Sequence, residues 1–198
     1  MLGFGKRPDN ARLEETMETY EFLLRHRTLF LLGPIVSSRT DQFSAIQVMD
    51  AIIAMGKDSY APIHLIIDSP GGEVPTGLAL LDTIKLSQAP IYTYCRSAAS
   101  MAAILMSAGE PGNRFIYPHS RCMIHLPSGV LQGSSKEVNK QNEQMQKIKD
   151  MLVCVLQSCG VNKSTKQLLS DMEDEHWMNA QEAVEYGIVD GIVQRGQL

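Results

Sequence analysis

The chain has 198 residues, of which 44% are hydrophobic and 20% charged, values of a globular chain long enough to bury a substantial core. Its formal net charge is −4 and it carries no basic stripe, which argues against nucleic acid as its main partner. No apolar run approaches the roughly 20 residues that a bilayer span needs, and MLGFGKRPDNARLEE has no long apolar stretch, so neither a membrane anchor nor a signal peptide is expected.

Residues 1–12 mix Gly, Lys, Arg, Pro, Asp and Asn and read as a flexible N-terminal segment, with one domain expected over 13–198. Leu13, Met17, Tyr20 and Leu24 sit at helical spacing and predict a helix over 13–26. TLFLLG reads as a short buried strand ending at Gly33. Residues 40–55 read as a helix with Phe43, Ile46, Met49 and Ile53 on its apolar face. IHLIID is a strand stopped by SPGG, and VPTGLALLDTIKLS a helix. IYTYC is a strand, followed by a short helix over 100–107. RFIY and RCMIH are strands split by Pro118, His119 and Ser120. Residues 134–159 form the longest helix, ended by Gly160; its first half is polar, so it is expected to project or to lie on a partner. NAQEAVEYG is a helix capped by Asn179 and closed by Gly187, and IVDGIV is the last strand. Strands alternating with helices, several apolar throughout, give an α/β fold whose strands are covered on both faces. Cys95, Cys122, Cys154 and Cys159 form no C-x-x-C pair and are expected to be free, mostly buried thiols of a reducing cytoplasm.

Four stretches carry chemistry. In IIDSPGGEV a strand runs into Pro-Gly-Gly before a helix, so the Gly71 and Gly72 amides can face a ligand oxygen; a plain tight turn is the alternative. In RSAASMAAILMSAGE, small residues surround Ser100 at a helix start. It is either a helix cap or a nucleophile whose oxyanion the Met101 amide can receive. His125 ends the apolar strand of RCMIHLPSG and is a general base facing a cleft or a satisfied core residue, whereas His119 sits in a surface turn and His26 and His64 have no supporting pattern. In SDMEDEHW, Asp171, Glu173, Asp174 and Glu175 are a solvated acidic loop or the source of one acid that orients His125.

Taken together, SPGGEVPTGLALLDTI, AASMAAILMSAG, RFIYPHSRCMIHLPSG and MNAQEAVEYGIVDGIV resemble the proteolytic subunit of the Clp protease, the ClpP family, from about residue 18 to 193. The resemblance implies a ClpP/crotonase-type repeated β-β-α spiral with a projecting handle at about 129–159. It implies a serine endopeptidase subunit of a barrel-shaped, ATP-dependent protease built of heptameric rings stacked in pairs. Unfolded polypeptide would be fed in by an AAA+ unfoldase. This chain has no phosphate-binding G-x-x-x-x-G-K-[ST] loop, so ATP would be used by the partner, and no metal or cofactor is expected here. Ser100 then matches the nucleophile, His125 the base and Glu175 the acid. Gly72 and Met101 match the oxyanion amides, and Gly129, Leu131 and Gln132 the strand beside bound peptide. A cytoplasmic location is expected, or a plastid or mitochondrial-type matrix.

Three positions depart from the family pattern. Glu175 replaces the usual Asp, Asp174 stands where an Arg commonly pairs across the rings, and Arg96-Ser97 replaces the usual lead-in to the nucleophile. These departures open a second possibility: a weakly active structural or regulatory ring subunit that works with a ClpP paralogue. A crotonase-like acyl-CoA enzyme is a third, but it leaves the Ser100-His125 pair without a role. Asp171 and Asp174 remain rivals to Glu175 for the acid.

Overall fold

The computed structural model describes residues 18–39, 43–129 and 132–197. The chain begins there with helical residues 18–25 (α1) and strand β1 (Thr28–Leu32). Then follow α2 (Ala45–Asp58), β2 (Ile63–Ser69), α3 (Val74–Lys85), β3 (Ile91–Ala99), α4 (Met101–Ser107), β4 (Arg114–Ile116) and β5 (Arg121–Ile124). The C-terminal part holds α5 (Ser135–Ser158), α6 (Thr165–Asp171), β6 (His176–Asn179), α7 (Ala180–Tyr186) and β7 (Gly191–Ile192).

The sheet runs β1-β2-β3-β4-β7, parallel throughout. β2 (IHLIIDS) is buried on both faces, as its near-continuous apolar run requires of a central parallel strand. β3 is longer than the predicted IYTYC and serves two neighbours. Thr93–Cys95 pair with β4, while Ala98 and Ala99 pair with β5. A register shift between Ile67 and Asp68 re-aims the ends of β2 and β3 at this fork. β6 returns antiparallel on β5. The core includes Leu29, Leu65, Ile67, Leu105, Ile116 and Val189 from across the sequence, each worth about 1.5–3 kcal/mol when fully buried. Among the described residues, no helix is long and apolar enough to cross a membrane.

Two sequence expectations change. α2 starts after Ser44 and buries Ala45, Val48, Ile52 and Gly56, so the apolar stripe lies about one residue away from the predicted one and Ile53 is half exposed. α6 and β6 were not expected, because SDMEDEHWMN is polar and only Met178 of β6 is buried. Residues 40–42 of the predicted 40–55 helix, the 1–12 segment and Leu131 lie outside the described residues.

The handle helix α5 is opened by a reciprocal capping box between Ser134 and Glu137. Its 24 residues span about 36 Å. Its N-terminal half is almost entirely exposed, and it is anchored by Leu152, Val153 and Leu156 near its C-terminus. Arg114 ties this end of α5 to the sheet. Its guanidinium bonds both Asp190 oxygens and donates to the Ser107 and Cys159 carbonyls, so a buried charge is fully partnered.

Candidate active site

β3 runs straight into α4, and Ser100 is the single residue between them. Its φ of 57° and ψ of −127° lie where residues with a side chain rarely go. Such a conformation costs about 1–3 kcal/mol and has to be held by its surroundings. Three constraints hold it. The Ser100 amide donates to the Met123 carbonyl at 2.8 Å, α4 is buried along its whole length, and Ala98, Ala102 and Ala103 leave room for close backbone packing. A strained strand-to-helix turn of this kind lifts a hydroxyl clear of its own backbone. Ser100 occupies the N-cap position, but its hydroxyl makes no capping bond. Instead, Ser100 Oγ lies 2.8 Å from Nε2 of His125.

His125 follows directly on β5, and the β3–β5 pairing (Ala98 with Cys122, Ala99 with Met123) is what brings it beside Ser100. Both side chains are half-buried. Among the described residues, Nδ1 of His125 has no hydrogen-bond partner.

The SPGG turn forms the opposite wall. Ile35 clamps it: the Ile35 amide donates to the Gly71 carbonyl and the Glu73 amide to the Ile35 carbonyl, both at 2.8 Å. Gly71 has φ +88°, and a Cβ there would stand 2.6 Å from the Ala99 carbonyl oxygen, 2.8 Å from Ser100 Cβ and 2.9 Å from the Met101 amide nitrogen. At Gly72 a Cβ would strike the Ile35 backbone at 2.1 Å. The two glycines therefore let the turn lie against the Ser100 backbone. Gly77 on α3 does the same for the Met101 side chain, whose Cγ would be 2.2 Å from a Cβ there. Gly71 is a sequence candidate for its amide, but its close approach to Ser100 and the part played by Gly77 appear only with the packing. Among the described residues, the Gly72 and Met101 amides donate to no group of the chain.

The acidic segment is distributed. Asp171 accepts the Tyr186 hydroxyl at 2.8 Å, and burial together with this carboxylate pushes the Tyr186 phenol well above its ordinary range. Asp174 is exposed. Glu175 precedes His176, whose partner across the last β5–β6 pair is Ile124, the residue before His125; beyond that pair the register changes, and the Leu126 amide donates to the Met172 carbonyl at 2.7 Å. Its carboxylate does not meet the imidazole; it accepts from Trp177 Nε1 at 3.0 Å. The structure thus brings Ser100 and His125 together, with the Gly72 and Met101 amides nearby, and leaves Glu175 turned aside. Arg96 stands at 3.8 Å from Asp68, which accommodates the unusual lead-in. Gly129 and Gln132 are exposed before α5, and the Gln132 backbone is bonded in both directions by the Gln141 side chain. His26 bonds the Phe22 carbonyl, His64 the Tyr94 hydroxyl, and His119 is exposed.

The Clp protease family model matches residues 11–196. The ATP-dependent Clp protease proteolytic subunit 2 of Chlamydia trachomatis serovar D is 35% identical over 186 residues, 93% of this chain and 89% of the relative. Proteolytic subunit 1 of Salinibacter ruber is 35% identical over 189 residues, 95% of this chain and 79% of that one. Proteolytic subunit 1 of Chlamydia felis is 34% identical, again over 93% of this chain and 89% of the relative. A family match over nearly the whole chain, on a mostly parallel α/β sheet whose strand-to-helix turn presents a serine to a histidine, establishes that this chain belongs to the Clp protease family, among chains named as proteolytic subunits.

Proposed function

We propose that the chain is a serine endopeptidase subunit of an ATP-dependent Clp protease. The observation that carries this reading is the 2.8 Å approach of Ser100 Oγ to His125 Nε2 at a strained turn where the hydroxyl caps nothing. Ser100 Oγ attacks the carbonyl carbon of a bound peptide while Nε2 of His125 takes its proton. The carbonyl electron pair moves onto oxygen and is met by the Gly72 and Met101 amides, each such donor being worth about 10²–10³ in rate. Collapse breaks the C–N bond, and His125 gives its proton to the departing amine. Water, deprotonated by His125, then hydrolyses the acyl-serine and frees the enzyme. Glu175 supplies the carboxylate that orients His125 when it turns inward. Gly129 and Gln132 would flank the bound peptide backbone.

Substrate reaches this site unfolded, supplied by an AAA+ partner that hydrolyses ATP, within heptameric rings of this chain or of this chain and a paralogue. Two features support assembly. The N-terminal half of α5 is exposed, and so are the apolar side chains of Phe22, Tyr60 and Leu86. The free thiols fit a reducing cytoplasm or an organellar matrix. The turned-aside Glu175 favours a second reading, a subunit of low activity on its own that gains activity in the particle. Hydrolysis of a short fluorogenic peptide by wild type, Ser100→Ala and His125→Ala tests the peptidase reading. Both variants should lose activity with assembly intact; undiminished turnover in Ser100→Ala overturns it.

A further inference from the structure

Trp177 is the only tryptophan of the chain, and 43% of its surface is exposed. Alternation along antiparallel strands puts Arg121, Met123 and His125 on one face of β5 and its extension. The register places Trp177 and Asn179 on the same face of the neighbouring strand, and Glu175, two residues before Trp177, reaches that face through its bond to the indole. Two contacts on this face fix the indole. The Arg121 guanidinium lies over the ring, 5.2 Å from its centre, and Nε1 donates to Glu175 Oε2 at 3.0 Å. Indole has one donor and no acceptor, so that bond uses its whole capacity. Glutamate has one methylene more than aspartate and so has the reach to fold back onto the residue two positions on. Glu175 and His125 each stand next to a member of the closing pair, Ile124 with His176, so the Glu175 carboxylate is the acid set beside the imidazole at this end of the ladder, and Nδ1 of His125 has no partner among the described residues.

We propose that Trp177 is a positioning residue: its indole N–H competes with the His125 ring for the Glu175 carboxylate and holds the subunit in a low-activity arrangement until the carboxylate turns to the imidazole. This rests on Glu175 being the acid of the peptidase site. The competition favours the indole while His125 is neutral. It favours the imidazole when Ser100 attacks and the ring becomes cationic, since the imidazolium adds to its hydrogen bond a full-charge attraction to the carboxylate that the neutral indole lacks. Releasing the indole is then part of the chemical step, so it limits kcat and leaves KM alone.

Trp177→Phe keeps a ring beneath Arg121 and removes only the donor. It should raise kcat on a short fluorogenic peptide, and the rate at which a fluorophosphonate labels Ser100, by roughly tenfold, the lower end of the range for one net hydrogen bond to a charged group and fitting for a half-exposed ring, with KM unchanged. In a Glu175→Ala background the same substitution should do nothing. Because Trp177 is the sole tryptophan, its emission reports the bond directly. Glu175→Ala should shift the emission, and labelling wild type should shift it the same way. Sedimentation should show unchanged assembly in each variant. If Glu175→Ala lowers turnover strongly but Trp177→Phe leaves or lowers it, the competition is refuted and the triad reading stands. If Trp177→Phe acts equally in both backgrounds, the ring matters through packing and the proposal fails. If Glu175→Ala has no effect on turnover, the acid assignment falls and the competition with it.

Discussion

Placing a methyl group on Gly71 tests how closely the SPGG turn and the Ser100 turn must approach. Two costs arise. At φ +88° a side chain is strained by about 1–2 kcal/mol, and the new Cβ would be 2.6 Å from the Ala99 carbonyl oxygen and 2.8 Å from Ser100 Cβ. Ordinary contact begins near 3.4 Å, so the two backbones must separate by about 0.8 Å. None of the three clashing atoms belongs to the far end of a flexible side chain, so the turn itself moves and carries the Gly72 amide away from Ser100. Displacements of about 1 Å at a reacting centre cost on the order of 100-fold. Gly71→Ala should therefore lower kcat by about that factor, with a fall in fluorophosphonate labelling to match. Gly112→Ala is the control. Its φ of +84° brings the same strain, but nothing lies within 4 Å of its Cβ. It should lose only the stability that the backbone strain costs, and retain full activity. Equal turnover in Gly71→Ala and Gly112→Ala would refute the reasoning, because the close approach would then have no bearing on the chemistry.

Arg114→Met should destabilise the fold by about 3 kcal/mol, because it leaves Asp190 and two buried carbonyls without their partner; denaturant unfolding measures it. Burial opposes ionisation of Asp190, but the hydrogen bonds and charge of Arg114 outweigh it and hold the carboxyl below its ordinary range. A depressed native carboxyl adds stability above the unfolded value near 4, and that contribution is lost as pH falls through the native value. The stability gap between wild type and Asp190→Asn should accordingly narrow as the pH falls below about 4; a gap that stays constant through acid titration contradicts it. Burial raises the Cys95 thiol far above its usual range and pushes Cys122 up to about 12, so at neutral pH a maleimide should modify exposed Cys154 in the folded chain and reach the other three only after denaturation. Asp174 places acid where the family pattern has Arg, and like charges about 4 Å apart repel by about 1 kcal/mol in water. Paired homomeric rings should therefore tighten with salt and with Asp174→Arg; sedimentation showing a fully stable double ring at low salt, unchanged by Asp174→Arg, would show that these acids find other partners.

Much of the architecture was legible because apolar runs of strand length alternate with helical stripes. IHLIID became β2 with one residue added, and VPTGLALLDTIKLS became α3 with its last two residues outside the helix. The face of α2 was misplaced because apolar residues nearly encircle that helix, and only the packing decides that Val48 and Ile52 are fully buried while Met49 lies at the edge of the core and Ile53 is half exposed. β6 was hidden because its stability comes from pairing with β5, a long-range contact that leaves no periodic signal in four residues. Ser100 and His125 were readable as candidates from their positions at element ends; their 2.8 Å approach depends on the fork in β3. The role of Gly71 depends on a contact with Ala99 and Ser100, nearly thirty positions along the chain, which no local pattern encodes. The alignment of Glu175 was readable, but the direction of its side chain was not, because it is decided by a neighbouring indole.

The central claim is that Ser100 is an activated nucleophile, and the most direct measurement is covalent labelling of the assembled wild-type protein with a fluorophosphonate, followed by peptide mass mapping. The account predicts a single adduct on Ser100 among the serines of the chain, strongly slowed in His125→Ala and absent in Ser100→Ala. Failure of Ser100 to label, or labelling at an unchanged rate in His125→Ala, would contradict it.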